Sequence, residues 1–455
     1  MSVHADSRRQ GKGHGPGNPH SPAPGKLSRD FWLYWTAGSA DSLGTQVSGL
    51  ALPLYLLSTG SSPAVAGVVV SAAGLTGLTA GPFAAVFADR GSRRPIMVVS
   101  ALVAGAAMGA VTALVALGRP SLPTLVAATV VERIATSCYA SAAGGTFARI
   151  VPTELYPGAM GRLQAGDQGA VVAGPALAGL LFRAARCAPF LLDAASYAVT
   201  AACVGGIRAD LGAARSPQTA PDDRDRAAED RAAEDRAAED RSSLVAELAN
   251  GLRFVRADVF LRFALLWSLG VNAALTLLYY NAVFAFRLQG KGTGALGLVL
   301  TVCGGAGLLG AMAAPMTARR FRPFGIVVAA SWAMAPAAAG LSFTGQVWAY
   351  GLLLGAVSSL VPMVMAALQA RAVLVTPAGM QARVSTVLGT ASAAVAALVP
   401  AGTGLLADAA GVTRVDLICA ALLILLAGYA TAAARRRPGT GSSAQGQVTG
   451  SGERP

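Results

Sequence analysis

Twelve apolar runs constrain this chain more than any other feature. They fall at about 31–57, 63–88, 95–118, 121–148, 163–183 and 188–207. After a polar stretch come six more, at about 259–284, 294–318, 323–344, 346–370, 380–406 and 413–434. A helix needs about 20 apolar residues to cross ~30 Å of hydrocarbon, and only helices or closed barrels satisfy their backbone groups there. Runs of this length require helices. The expected fold class is therefore an all-α polytopic membrane protein of 12 transmembrane helices in two six-helix halves. The composition agrees, with 54% of the residues hydrophobic and 13% charged, far from the soluble average.

Five segments follow. Residues 1–29, rich in Gly, Pro and basic residues, read as a disordered tail; 30–207 form the first half, 208–258 a linker, 259–434 the second half, and 435–455 a second tail. Within the linker Arg-Ala-Ala-Glu-Asp occurs three times from Arg226 to Asp240. A five-residue period makes no continuous helical stripe, so a solvated tether is expected. Beyond it Leu244, Leu248, Leu252 and Val255 fall on one face of a short amphipathic helix, read as lying at the membrane surface. Two equal halves joined by such a linker suggest the parallel repeats of secondary transporters, with a substrate path between them.

Orientation follows from the basic residues. Arg90, Arg93, Arg94, Arg149, Arg162, Arg319, Arg320, Arg322, Arg371 and Arg383 sit in alternate connections, and the intervening ones hold only Arg119, Arg183, Arg186, Arg287, Lys291 and Arg414. The bias puts both termini and the linker in the cytoplasm of a cell carrying this protein in its plasma membrane. The formal charge of +13 is absorbed by this punctuation, and nucleic acid is discounted as a partner. All three histidines, His4, His14 and His20, lie in the first tail, and the five cysteines are isolated. Histidine–metal chemistry and a disulfide framework are thereby excluded. Gly292, Gly294 and Gly297 spell G-x-G-x-x-G, but they enter an apolar run instead of following a strand, so a nucleotide is not expected. No cofactor is expected, and no catalytic constellation supports an enzyme.

Three stretches carry a family resemblance. Ala85-Val-Phe-Ala-Asp89-Arg90-Gly91-Ser92-Arg93-Arg94 resembles the cytoplasmic loop signature G-x-x-x-D-R-x-G-R-R of the major facilitator superfamily. Asp89, Arg90, Arg93 and Arg94 keep its charges, and the resemblance implies a gating latch across the half-to-half interface. Ala170-Val-Val-Ala-Gly174-Pro175-Ala-Leu-Ala178-Gly179 resembles the superfamily's antiporter signature, implying a hinge at Gly174, Pro175 and Gly179 and an exporter. Gly38 to Gly44 and Leu191 to Tyr197 resemble the twelve-span branch that exports macrolides, siderophores and other drugs, although Asp41 stands where that branch commonly has serine.

Charges inside apolar runs need a reason, since each costs at least about 2.5–3.5 kcal/mol at a helix centre unless paired or hydrated. Five residues qualify: Asp41, Glu132, Arg133, Asp167 and Asp193. Arg133, with Ser137 four residues on, resembles the fourth-span R-x-x-x-G motif linked to proton transfer. Glu132 lies about 100° around the helix from it and either serves that arginine or faces another span. Asp193 reads as an interfacial cap or anchor and Asp167 as a side chain snorkelling to water. Asp41, Arg133 and Glu132 are the proton-coupling candidates. The expected function is proton-driven export of a hydrophobic small molecule, associated with multidrug resistance, by a monomer whose other partner is the bilayer. Nutrient uptake by proton symport and a non-transporting scaffold are the alternatives.

Overall fold

The computed structural model describes residues 27–90, 92–209, 211, 249–321 and 323–435. The Arg-Ala-Ala-Glu-Asp repeats, both tails and Arg322 lie outside the described residues. Twelve long helices account for nearly everything described. They are α1 (Arg29–Ser58), α2 (Pro63–Arg90), α3 (Arg93–Ala116), α4 (Leu122–Ile150), α5 (Tyr156–Ala184) and α6 (Ala188–Gly205) in the first half. In the second are α7 (Val259–Leu288), α8 (Thr293–Arg320), α9 (Pro323–Leu341), α10 (Val347–Val375), α11 (Gln381–Ala410) and α12 (Val412–Arg435).

Local chemistry sets their ends. The Ser28 hydroxyl accepts from the Phe31 N–H, Ser121 and Thr124 form a reciprocal cap on α4, and the Asp258 carboxylate accepts from the Leu261 N–H at 2.8 Å. Each satisfies an amide donor that a helix start would otherwise strand in apolar surroundings. Gly60, Gly118, Gly290 and Gly411 take positive φ at the turns leaving α1, α3, α7 and α11, where a Cβ would be strained. These four turns lie on the face away from the start of α1 and the end of α12. That face is called distal here, and its opposite the terminal face.

Nine of the described helices are long and apolar enough to cross a bilayer by composition alone. The other three, α1, α4 and α5, carry Asp41, the Glu132–Arg133 pair and Asp167. These charges lower the mean hydropathy of their helices. Helix α5 also begins at Tyr156, earlier than the apolar run at 163, since Arg162 and Gln164 interrupt the hydrophobicity without interrupting the helix.

Each half repeats one packing plan. In the first, α1 packs on α5 and α6, α3 on α4 and α6, and α2 on α4; in the second, α7 packs on α11 and α12, α9 on α10 and α12, and α8 on α10. The halves meet along two seams, α2 with α11 and α5 with α8, which the repeat exchanges for one another. The contacts match residue for residue. Gly67 faces the carbonyl of Pro400 and Gly404 that of Pro63; across the other seam Gly297 faces the carbonyl of Pro175 and Gly179 that of Thr293. A Cβ at Gly297 or Gly179 would stand 2.7 Å from the facing oxygen, and one at Gly67 or Gly404 would overlap it. Only glycine allows backbones this close. The α2–α11 seam is further pinned where the Ala401 N–H donates to Ser71 Oγ (2.8 Å) and the Ala64 N–H donates to Asp408 Oδ2 (3.1 Å).

All these contacts lie in the distal part of the bundle. Toward the terminal face the seams part, and a Cβ at Gly81, Gly161, Gly169 or Gly389 would meet nothing within 4 Å. Among the described residues the seams are thus packed tightly at the distal end and more loosely toward the terminal face. Residues 249–257 are helical, and of the expected apolar face Leu244 and Leu248 lie outside the described residues. Gly251 packs on Arg383 and Val387 of α11 and Val255 is buried, whereas Leu252 is exposed. The segment docks through its smallest residue because that allows the closest approach.

Candidate functional site

Between the halves lies a cavity of about 630 Å³, bounded by Ser48 and Leu52 of α1, Gly74 and Gly77 of α2, Met108 of α3, Phe190 of α6, Tyr280 of α7 and Ala393 to Ala397 of α11. Its polar wall comes from α4. Thr129, Glu132 and Arg133 line it together, a spacing that stacks them on one side of a helix. The Arg133 Nε lies 3.0 Å from Glu132 Oε2, with side-chain exposures of 28% and 3%. The arginine thus reaches the cavity while its partner is sealed. On its other oxygen, Glu132 Oε1 accepts from the Tyr197 hydroxyl of α6 at 2.7 Å. Both sequence alternatives for Glu132 hold at once, since it serves the arginine and faces another helix.

Removing one partner of such a buried arrangement strands a polar atom. Tyr197→Phe is expected to lower stability by about 1–3 kcal/mol, read as a fall in thermal unfolding temperature. The double variant Tyr197→Phe/Glu132→Gln should lose less than the sum of the two single changes.

The remaining acids separate by environment. Asp41 is half-buried, and among the described residues no hydrogen bond to it is found. It stands on the same stripe of α1 as Ser48 and Leu52, two turns nearer the terminal face, which places it at the mouth of the cavity. Asp167 is exposed on α5, as snorkelling predicts, but it also accepts from the Ser42 hydroxyl at 2.7 Å and so ties α5 to α1. Asp193 differs from expectation. It is fully buried and sits where α6 crosses α1, with Gly44 so close that a Cβ there would collide with Ser196 and Asp193. An interfacial cap would be wet. This aspartate is a packing and polar element of the α1–α6 contact, and the stretches Gly38–Gly44 and Leu191–Tyr197 are the two sides of that crossing.

Arg93 and Arg94 of the loop signature begin α3. Among the described contacts, Arg94 Nη2 donates to the Ala209 carbonyl (2.8 Å), the Arg93 N–H donates to Leu211 O (3.3 Å), and the Arg93 guanidinium lies against Gly145 of α4. Gly145 belongs to the first half, and Ala209 and Leu211 open the linker that follows it. The side chains of Asp89 and Arg90 lie outside the described residues. The antiporter-signature residues Gly174, Pro175 and Gly179 are buried in α5: Gly174 abuts Gln46 of α1, while Pro175 and Gly179 form the α8 seam. Gly294 and Gly297 of the weak nucleotide match are seam residues as well, packed on Arg183 and Pro175.

Sequence reading missed three parts of this arrangement. Pro400 and Gly404 repeat the Pro175–Gly179 spacing in α11, and aligning the halves would have shown it. Tyr197 gave no signal of its own, because a tyrosine in an apolar run is ordinary core. Asp416, buried in α12, stands near the start of the last run and drew no attention there. Its Oδ1 accepts from Asn281 Nδ2 at 2.7 Å.

Twelve helices in two repeated halves around a central cavity define a multi-pass membrane protein with a transporter fold. The profile of the Major Facilitator Superfamily matches residues 34–400, and the chain belongs to that superfamily. No curated protein matches it significantly. Among solved structures it is similar to the nucleoside transporter NupG, with 12% identity, a TM-score of 0.64 and coverage of 89% of this chain and 100% of that one. It is also similar to a bacterial homologue of the human lysosomal transporter Spinster in an inward-facing, unoccupied conformation (12%, 0.65, 89% and 96%). A third is a bacterial homologue of the iron transporter ferroportin in an inward-facing state (16%, 0.63, 90% and 99%). At these identities the likeness is one of fold.

Proposed function

We propose that the chain is a secondary active exporter that moves a hydrophobic small molecule, of the drug, antibiotic or siderophore-like kind, out of the cell in exchange for protons. The observation that carries this reading is the Glu132–Arg133–Tyr197 network at the wall of a largely apolar cavity, with the unbonded Asp41 at its mouth. An apolar wall takes up a lipophilic compound, and its few charges are placed to respond to a proton or to the substrate. The basic residues of alternate connections put the termini in the cytoplasm, so the more loosely packed terminal face is the loading side. Asp89, Arg90, Arg93 and Arg94 then act as the latch when that face closes, and Pro175 and Gly179 seal the distal face while it is open. The working unit in this reading is a monomer in the plasma membrane.

Everted membrane vesicles test it. A lipophilic dye or antibiotic should accumulate inside them when a proton gradient is imposed, and collapse of the gradient should release it. Accumulation unaffected by the gradient would refute proton coupling. Cys187, at the distal start of α6, should react with an impermeant thiol reagent from outside intact cells in a variant retaining only that cysteine. Labelling solely after eversion would reverse the orientation.

A further inference from the structure

Away from the central cavity, at the distal end of the second half, a small chamber of about 40 Å³, partly open at its rim, is lined by Asp416, Tyr350, Gln289, Ser342, Thr344 and Thr413. We propose that this chamber is a binding site for a monovalent metal cation of sodium size, with the Asp416 carboxylate and the Tyr350 hydroxyl as its principal oxygen ligands.

Asp416 is 4% exposed, and a buried carboxylate is costly unless a positive charge or several donors meet it. Among the described residues one neutral donor meets it. The Asn281 amide donates to Asp416 Oδ1 (2.7 Å) and to the Val412 carbonyl (2.9 Å), which uses both its protons and fixes the carboxylate's orientation. The Tyr350 hydroxyl, on a residue 4% exposed and bordering the same chamber, is buried with no hydrogen-bond partner, and so is Asn281 Oδ1. Buried oxygens without donors, grouped around one carboxylate, suit a hard cation, which takes oxygen ligands. A water needs about 10–15 Å³ of such volume, so an ion with an accompanying water fits. One carboxylate balances a single charge, which favours a monovalent ion over calcium.

Lys291 also borders the chamber, but its ammonium lies over the Phe286 ring at 5.2 Å from the centroid. Among the described residues it makes no ion pair with Asp416. It stands as the competing occupant, and the experiment must separate the two.

Thermal unfolding of the purified full-length protein in sodium chloride, against choline chloride at equal ionic strength, provides the test. Sodium should raise the unfolding midpoint saturably. Asp416→Asn should abolish the response, and Tyr350→Phe, a milder change, should raise the half-saturating sodium concentration roughly ten-fold, the size of one lost ligand contact. Lys291→Met should leave the response in place. No sodium response in the wild-type protein, or an undiminished one in Tyr350→Phe, would overturn the assignment. So would a Lys291→Met protein destabilised in choline whose wild type ignores sodium, which would place the ammonium in the chamber.

Discussion

Gly67→Ala and Gly404→Ala are each expected to reduce transport at least about five-fold while leaving the protein folded. In both cases the new Cβ would overlap a carbonyl oxygen of the facing half, Pro400 in one and Pro63 in the other. Backbone cannot yield as a flexible side chain does, and overpacking of this kind costs about 1–3 kcal/mol. The cost falls only on the state whose distal face is closed, because each half keeps its own internal packing. A differential of that size shifts a two-state population about 5- to 150-fold. The expected readout is faster reaction of a cysteine introduced as Ser71→Cys with an impermeant reagent from the distal side. Gly297→Ala on the other seam should act in the same sense and more weakly, since its facing oxygen stands at 2.7 Å. Gly109→Ala, with nothing within 4 Å, is the control. Wild-type transport and unchanged Ser71→Cys reactivity in Gly67→Ala would show that the seam is not a moving part.

The second large effect is expected at the cavity charges. Under the proposed exchange cycle, Asp41→Asn should retain substrate binding and downhill exchange but lose gradient-driven accumulation by at least about ten-fold. Loss of water disfavours a carboxylate's charged form and an approaching guanidinium favours it. An acid at the mouth of a cavity that also holds Arg133 therefore meets two environments as the halves rock. Arg133→Ala should be worse, because it removes the partner of the sealed Glu132 and destabilises the protein by about 3–5 kcal/mol. Expression and thermal unfolding should fall along with transport. Wild-type accumulation by Asp41→Asn with unchanged pH dependence would move the coupling role elsewhere, with Glu132 the next residue to test.

Much of the architecture was legible from run length alone, because a bilayer leaves helices few alternatives. The two halves, their order and the placement of Gly174, Pro175 and Gly179 in the fifth helix followed from that and from local spacing. The charged residues of the runs were equally visible, since each needs a reason to be there. Their partners were not. Glu132 and Tyr197 are 65 positions apart in the chain, and no local pattern announces a contact at that separation. Asp193 was misjudged for a related reason. Position near the end of a run suggests water, whereas its burial is decided by Gly44, on another helix, which lets α1 close over it.

The two seams, where equivalent residues face one another in exchanged pairs, have the form of an isologous contact, the kind two copies of one subunit make across a dyad. The chain can be regarded as a fused dimer of six-helix units. A substitution in a separate ancestral unit would have altered both edges of the interface together, whereas fusion lets each edge change alone. The halves have since divided their labour. Where α1 and α4 carry Asp41, Glu132 and Arg133, the matching positions of α7 and α10 are Val271, Val357 and Ser358. The first half thus carries the charges beside the central cavity, and the matching positions of the second are uncharged.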